Sequence, residues 1–126
     1  MVKMAVITGF LGQTKDRFHH YNEPKTLEQK FALLSTIRGY DGVEIVYPYE
    51  ASDAAATRSL LQKYRLKVAA VNVNVKAEPE FLNGGLTSTK KAVRDKAVRF
   101  IRESKDFAAA IGADKVTCCP LGDGFE

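Results

Sequence analysis

No run of 18 apolar residues occurs in this chain, and its N-terminus lacks the apolar core of a secretory leader. Neither a membrane-spanning helix nor a signal peptide is therefore expected. Blocks of five or six like charges are also missing. The 19 Lys and Arg and the 15 Asp and Glu are scattered, so the net charge of +4 reads as solvated helix faces rather than a nucleic-acid patch. Cysteine is scarce. Cys118 and Cys119 are neighbours, which in a strand point to opposite faces and pair poorly. No CxxC or Cys/His spacing suggests zinc, so two buried thiols in a reducing cytoplasm are expected. No glycine fingerprint follows the first apolar run, as a dinucleotide-binding open sheet would require.

What remains is ordinary in amount and ordered in pattern. An apolar content of 45% and a charged content of 27% suit one soluble domain of 126 residues. The run Gly42-Val-Glu-Ile-Val-Tyr-Pro48 is short, β-branched, entered through Gly39-Tyr-Asp-Gly42 and stopped by proline, and so predicts a strand. Helical patterns flank it, which predicts a parallel strand buried on both faces. Glu44 does not fit that burial, because an unpaired carboxylate against helices costs several kcal/mol, of the order of 3 or more. The next run, Val68 to Val75, repeats the oddity. Asn72 and Asn74 share one parity, and Val71, Val73 and Val75 share the other. Two neighbouring strands thus predict a sheet with one apolar face under helices and one polar face.

In chain order, Met4 to Phe10 reads as the first strand, followed by a loop from Leu11 to Pro24 that carries Lys15, Asp16, Arg17, His19, His20 and Tyr21. Loops of this length are often functional. Thr26 and Gln29 form a capping-box signature for a helix whose stripe is Leu27, Phe31, Leu34 and Ile37, with Gly39 as the expected C-cap. Ser52 is the expected cap of a second helix, with Leu60, Leu61 and Tyr64 on its apolar side. The third helix is expected from about Ser88 to Ile111, closed by Gly112. Lys115 to Cys119 reads as a fourth strand stopped by Pro120, before the glycine-rich end Leu121 to Glu126. The order βαβαβαβ demands a parallel sheet with right-handed crossovers. An open doubly wound sheet and part of a (β/α)8 barrel both satisfy it. The polar parity, the missing glycine fingerprint and the end just after a strand favour the barrel. A whole barrel takes about 250 residues, so the expectation is one partial domain over residues 1–126: the first half of a TIM barrel, truncated after strand four.

Gly39-Tyr-Asp-Gly-Val-Glu44 after an amphipathic helix, Leu66-Lys-Val-Ala-Ala70 opening the third strand, and Arg94…Ala97…Ala109-Ala-Ile-Gly-Ala113 before the fourth are similar to the xylose-isomerase-like TIM barrels. That superfamily comprises sugar phosphate isomerases and epimerases and also the endonuclease IV type of DNA-repair enzyme. The resemblance implies chemistry on sugars, sugar acids or keto-sugars, with a divalent metal (Mn, Mg, Co or Zn) held by ligands from the later strands and two carboxylates moving a proton beside a carbonyl. None of the 126 positions inherits those ligands. The chain is therefore expected to supply one wall of the pocket, to hold no metal or catalytic residue, and to be inactive alone. A missing C-terminal half, or a second copy forming a homodimer, is expected to complete it, because open sheet edges invite pairing.

The candidate substrate-binding residues are Phe10, His20, Glu44, Asn72, Asn74 and Lys76. Glu44 reads equally as a contact to a substrate hydroxyl or as a hydrogen-bonded carboxylate that orders its neighbours. Asn72 and Asn74 offer amides to sugar hydroxyls near a strand's C-terminal end. Lys76 offers a cation for a carboxylate or phosphate, or a solvated lysine. His19 and His20 read as plain loop residues, as a general acid or substrate grip, or as a metal-ligating pair, though no acidic or cysteine partner lies at ligand spacing. Phe10 is either a stacking face for a sugar ring or part of the core. Asp123 between glycines reads as a turn, and Gly84-Gly85 is too weak a signal for a phosphate loop. Arg94, badly placed for the helix dipole, hints at an ion-pair or anion role. Two rivals stay open. An endonuclease would want histidines at the ends of strands two and three, where Tyr47-Pro-Tyr49 and Asn72 to Lys76 stand instead. A non-catalytic open-sheet interaction domain is the other.

Overall fold

The computed structural model describes residues 2–15 and 19–119. Strand β1 (Ala5–Ile7) runs into a 3-10 turn (Thr8–Leu11), and a small antiparallel hairpin of β2 (Thr14–Lys15) and β3 (His20–Tyr21) follows. Helix α1 (Leu27–Leu34), strand β4 (Gly42–Tyr47), helix α2 (Ala54–Lys63), strand β5 (Val68–Val73), a second 3-10 turn (Pro79–Phe81), helix α3 (Lys91–Ile111) and strand β6 (Val116–Cys118) complete the order. The main sheet runs β1-β4-β5-β6, and every pairing in it is parallel. This is the βαβαβαβ of half a (β/α)8 barrel.

The alternation read from the sequence decides which face meets the helices. Val43, Ile45 and Tyr47 of β4 and Val71 and Val73 of β5 are buried in one core with Val75. Helix α1 adds Phe31 and Leu34, α2 adds Leu61, and α3 adds Val93, Ala97, Phe100, Phe107, Ala108 and Ile111. All three helices thus bury their stripes on the same side. A fully buried Val, Leu, Ile or Phe contributes about 1.5–3 kcal/mol, so this layer holds the sheet to its helices. Glu44, Val46, Asn72 and Thr117 have the opposite parity and stay partly exposed.

The ends of the elements follow local chemistry, with several departures from expectation. The Thr26 and Gln29 capping box forms with both reciprocal bonds. Helix α1 nevertheless stops at Leu34 with Ser35 as its C-cap. Ile37 lies beyond it, 43% exposed, and Gly39 is not the cap. The N-cap of α2 is Asp53, not Ser52, because its carboxylate reaches the amides of Ala55 and Ala56 at 2.9 and 3.0 Å. A charged acceptor satisfies two helix amides at once, which a serine hydroxyl cannot match.

Helix α3 begins at Lys91 rather than Ser88. The Ser88 hydroxyl accepts the amide of Lys90 at 3.3 Å, a local turn that competes with helix. Lys90 becomes the N-cap, with no side-chain bond of its own. The Arg94 guanidinium reaches back to the carbonyls of Ser88 and Thr89 at 2.7 and 3.1 Å. For Arg94, where an ion-pair or anion role was expected, the structure shows one guanidinium nitrogen holding the loop before α3. Gly112 closes the helix in the left-handed region, φ 84°, as expected.

Strand β1 is shorter than Met4 to Phe10, β5 ends at Val73 rather than Val75, and the long first loop contains the β2–β3 hairpin. The two thiols are not both buried: Cys118 is half-buried and Cys119 exposed, because β6 is the last strand of the sheet. Asp16, Arg17, Asp123 and the end of the chain from Pro120 lie outside the described residues.

Candidate functional site

Three polar residues of the uncovered face come together, Asn72 and Thr117 by register and Glu44 by a diagonal reach, since the β4 residue paired with Asn72 is Val46. Glu44 sits beside Ile7 on β1 and beside Ala70 on β5, where the pairing slips after Val43. Asn72 pairs in register with Thr117 on β6. The slip sets Asn72 within reach of Glu44. Its Nδ2 donates to Glu44 Oε1 at 2.8 Å and lies 3.0 Å from Thr117 Oγ1, and the Thr117 hydroxyl donates to the same Glu44 oxygen at 2.6 Å. One carboxylate oxygen therefore gathers donors from two adjacent strands. Among the described residues, Glu44 Oε2 and Asn72 Oδ1 accept no hydrogen bond. Both are acceptors, and both suit the hydroxyl donors of a polyol.

Beside this row lies a second network, reached through Thr8 at the end of β1. The Thr8 side chain is fully buried, and its hydroxyl meets both the backbone carbonyl of Glu44, at 3.1 Å, and the carboxylate of Glu50. Glu50 in turn pairs with Lys30 of α1, whose side chain is 7% exposed. The network ties α1, the turn after β1 and the loop after β4 to the strand that carries Glu44. Sequence reading passed over Lys30. The signal was there: Lys30 falls with Leu27, Phe31 and Leu34 on the apolar stripe of its helix, where a lysine needs a buried partner.

The expected site residues divide. Glu44 and Asn72 are brought together, and Thr117, which the sequence reading did not single out, joins them. Asn74 points its Oδ1 at the amides of Lys76 and Ala77, both at 3.0 Å, and so shapes its own turn. Lys76 is exposed and contributes its amide to that turn. Phe10 stands in the 3-10 turn after β1, 71% exposed, and is not part of the core. His20 is exposed on the hairpin, paired in register with Lys15. Among the described residues no group of three or more His, Cys, Asp or Glu has the arrangement of a metal site.

A family model described as the xylose isomerase-like TIM barrel matches residues 31–125. The chain belongs to that family. A search of solved structures finds the crystal structure of 3-keto-D-glucoside 4-epimerase, YcjR, from E. coli in its apo form, with a TM-score of 0.58 and 18% sequence identity over 90% of this chain. At that identity the likeness is one of fold. The match covers 37% of the epimerase chain, so this chain spans well under two thirds of that relative. No curated protein matches. No helix among the described residues is long and apolar enough to cross a membrane.

Proposed function

We propose that this chain forms the N-terminal wall of the pocket in a sugar isomerase or epimerase that moves a proton beside a carbonyl. The single observation that carries the reading is the row Glu44–Asn72–Thr117, whose open acceptors lie on the helix-free face of a parallel sheet in a xylose isomerase-like barrel. The epimerase with the same fold acts, by its name, on a 3-keto-D-glucoside, and a keto-sugar is the substrate class proposed here. In this role Glu44 and Asn72 take hydrogen bonds from ring hydroxyls and fix the sugar's orientation, and Phe10, His20, Asn74 and Lys76 line the rim. Orientation of this kind lowers a barrier by holding the reacting carbon where a base can reach it.

The described residues do not by themselves fit the divalent metal that such enzymes use, because no cluster of three or more ligand-type side chains is present among them. The metal's ligands, and the proton-transfer carboxylates, belong in this proposal to a further segment that closes the sheet; a second copy of the chain, with the same residues, would cover the open edge without supplying them. The intact mass and oligomeric state of the natural protein test that completion. Calorimetry of the whole protein with keto-sugars tests the wall: saturable binding that Glu44→Gln weakens about tenfold supports it, and undiminished binding in that variant would sink it.

A further inference from the structure

The end of the sheet opposite this row carries a different chemistry. In a parallel sheet the loops that enter the strands gather at one end, so the segment from Ser35 to Asp41 before β4 and the segment from Tyr64 to Lys67 before β5 lie side by side. They line a depression of about 430 Å³ that includes Arg38, Arg65 and Lys67. A second depression, of about 290 Å³, adjoins it and includes Arg58. Arg65 and Leu66 line both. Among the described residues none of these four cations is in an ion pair. The carboxylate in the lining is Asp41, and it accepts the backbone amide of Met4 at 2.8 Å.

The plain account is that cations complement helix C-termini, which also point to this end. Each terminus carries roughly half a negative charge. Three such ends and Asp41 amount to about two and a half negative charges against four cations, so positive charge is left over. A second observation is independent of that count. Arg65 holds φ at 53°, in the left-handed region just past the end of α2, where its amide bonds the Gln62 carbonyl at 3.1 Å. Glycine is the favoured residue there, because a side chain at positive φ is strained. An arginine kept in a strained position, outside any ion pair among the described residues and between two depressions, suggests a use for its guanidinium.

We infer that this end of the sheet binds a small multivalent anion of the phosphate class, with Arg65 as the central contact and Arg38, Arg58 and Lys67 around it. Arginine recognises phosphate oxygens through paired donors, and the open depression leaves all four exposed cations within reach of a solvated anion. The proposal does not rest on the sugar reading.

The test titrates the full chain with inorganic tripolyphosphate by calorimetry at low and physiological salt. Wild type is expected to bind saturably and more weakly as salt rises. Arg65→Gly is expected to lose about tenfold in affinity while its Tm stays level or rises by about 3 °C, since glycine relieves the strain. Lys90→Gln, at the other end of the sheet, is expected to bind as wild type does. Absence of saturable binding, full affinity in Arg65→Gly, or an equal loss in Lys90→Gln would each overturn the inference. So would a clear preference for single-stranded nucleic acid over tripolyphosphate.

Discussion

Thr117 on β6 donates its hydroxyl to Glu44 on β4 at 2.6 Å, across the intervening strand β5. The bond spans 73 residues of sequence, and Asn72 stands between the two residues and touches both. Replacing Thr117 by valine keeps the shape and removes the donor. A hydrogen bond to a charged group contributes about 1.5–3 kcal/mol, but Glu44 is partly exposed and water replaces some of it. Thr117→Val is therefore expected to lower stability by about 1 kcal/mol in urea melts. Asn72→Ala removes the bridge as well, and the double variant is expected to lose less than the sum.

Lys30 and Glu50 form the one buried ion pair of the described residues, with 7% and 13% of their side chains exposed. Breaking such a pair from one side leaves a buried charge, which costs about 3–5 kcal/mol. Lys30→Met is expected to fall in that range. Lys30→Met combined with Glu50→Gln is expected to recover most of the loss, because neither charge is then stranded. Equal stability of the single and double variants would show that water reaches Glu50 freely.

Much of the fold was legible because periodicity reports burial directly. The alternating valines of β5 and the stripe of α3 could be read from their spacing, and so could the shared face of Glu44 and Asn72. The partner Thr117 was not legible, since its place depends on the pairing slip after Val43 and on the register of β5 with β6. Asn74 shares that parity, and parity alone did not show that its side-chain oxygen also holds the turn two residues on. Side chains that bond locally to the backbone are invisible to a face-counting argument. Arg65 shows the same limit, because a left-handed arginine leaves no mark on periodicity.

Acid should weaken the strap over the C-terminal end of β5. Glu78 accepts from Lys96 and, at 2.9 Å, from the Tyr49 hydroxyl, and the Lys96 ammonium lies 5.8 Å from the rings of both Phe81 and Phe100. The Lys96 bond holds the Glu78 carboxyl below its ordinary value of 4.5. A depressed carboxylate adds stability above its unfolded value and loses it as the pH falls through the folded one. Wild type is thus expected to lose stability below its ordinary value of 4.5, and Glu78→Gln to lose less over the same range. At the alkaline end the direction reverses: burial, then Glu78, pushes Tyr49 up, so its contribution is present below its ordinary value of 10.0 and fades as the pH rises past it. Urea midpoints at about pH 3, 7 and 10.5 check both limbs.

Gly12 shows how tightly Lys30 is held. A Cβ at position 12 would lie 2.8 Å from Lys30 Cε and 3.4 Å from the Lys25 amide nitrogen. The φ at Gly12, −130°, is one that other residues reach, so the crowding around the new Cβ is the term tested here. A lysine tip on the surface would swing aside. This one is fixed by Glu50, so the clash must be absorbed by the ion pair or by the loop. Overpacking of that kind costs about 1–3 kcal/mol. In a Lys30→Ala background the Cε is gone and only the looser contact with Lys25 remains, so the added cost of Gly12→Ala is expected to fall below about 1 kcal/mol. A cost that stays the same in both backgrounds would place the strain at Lys25 and detach Gly12 from the buried pair.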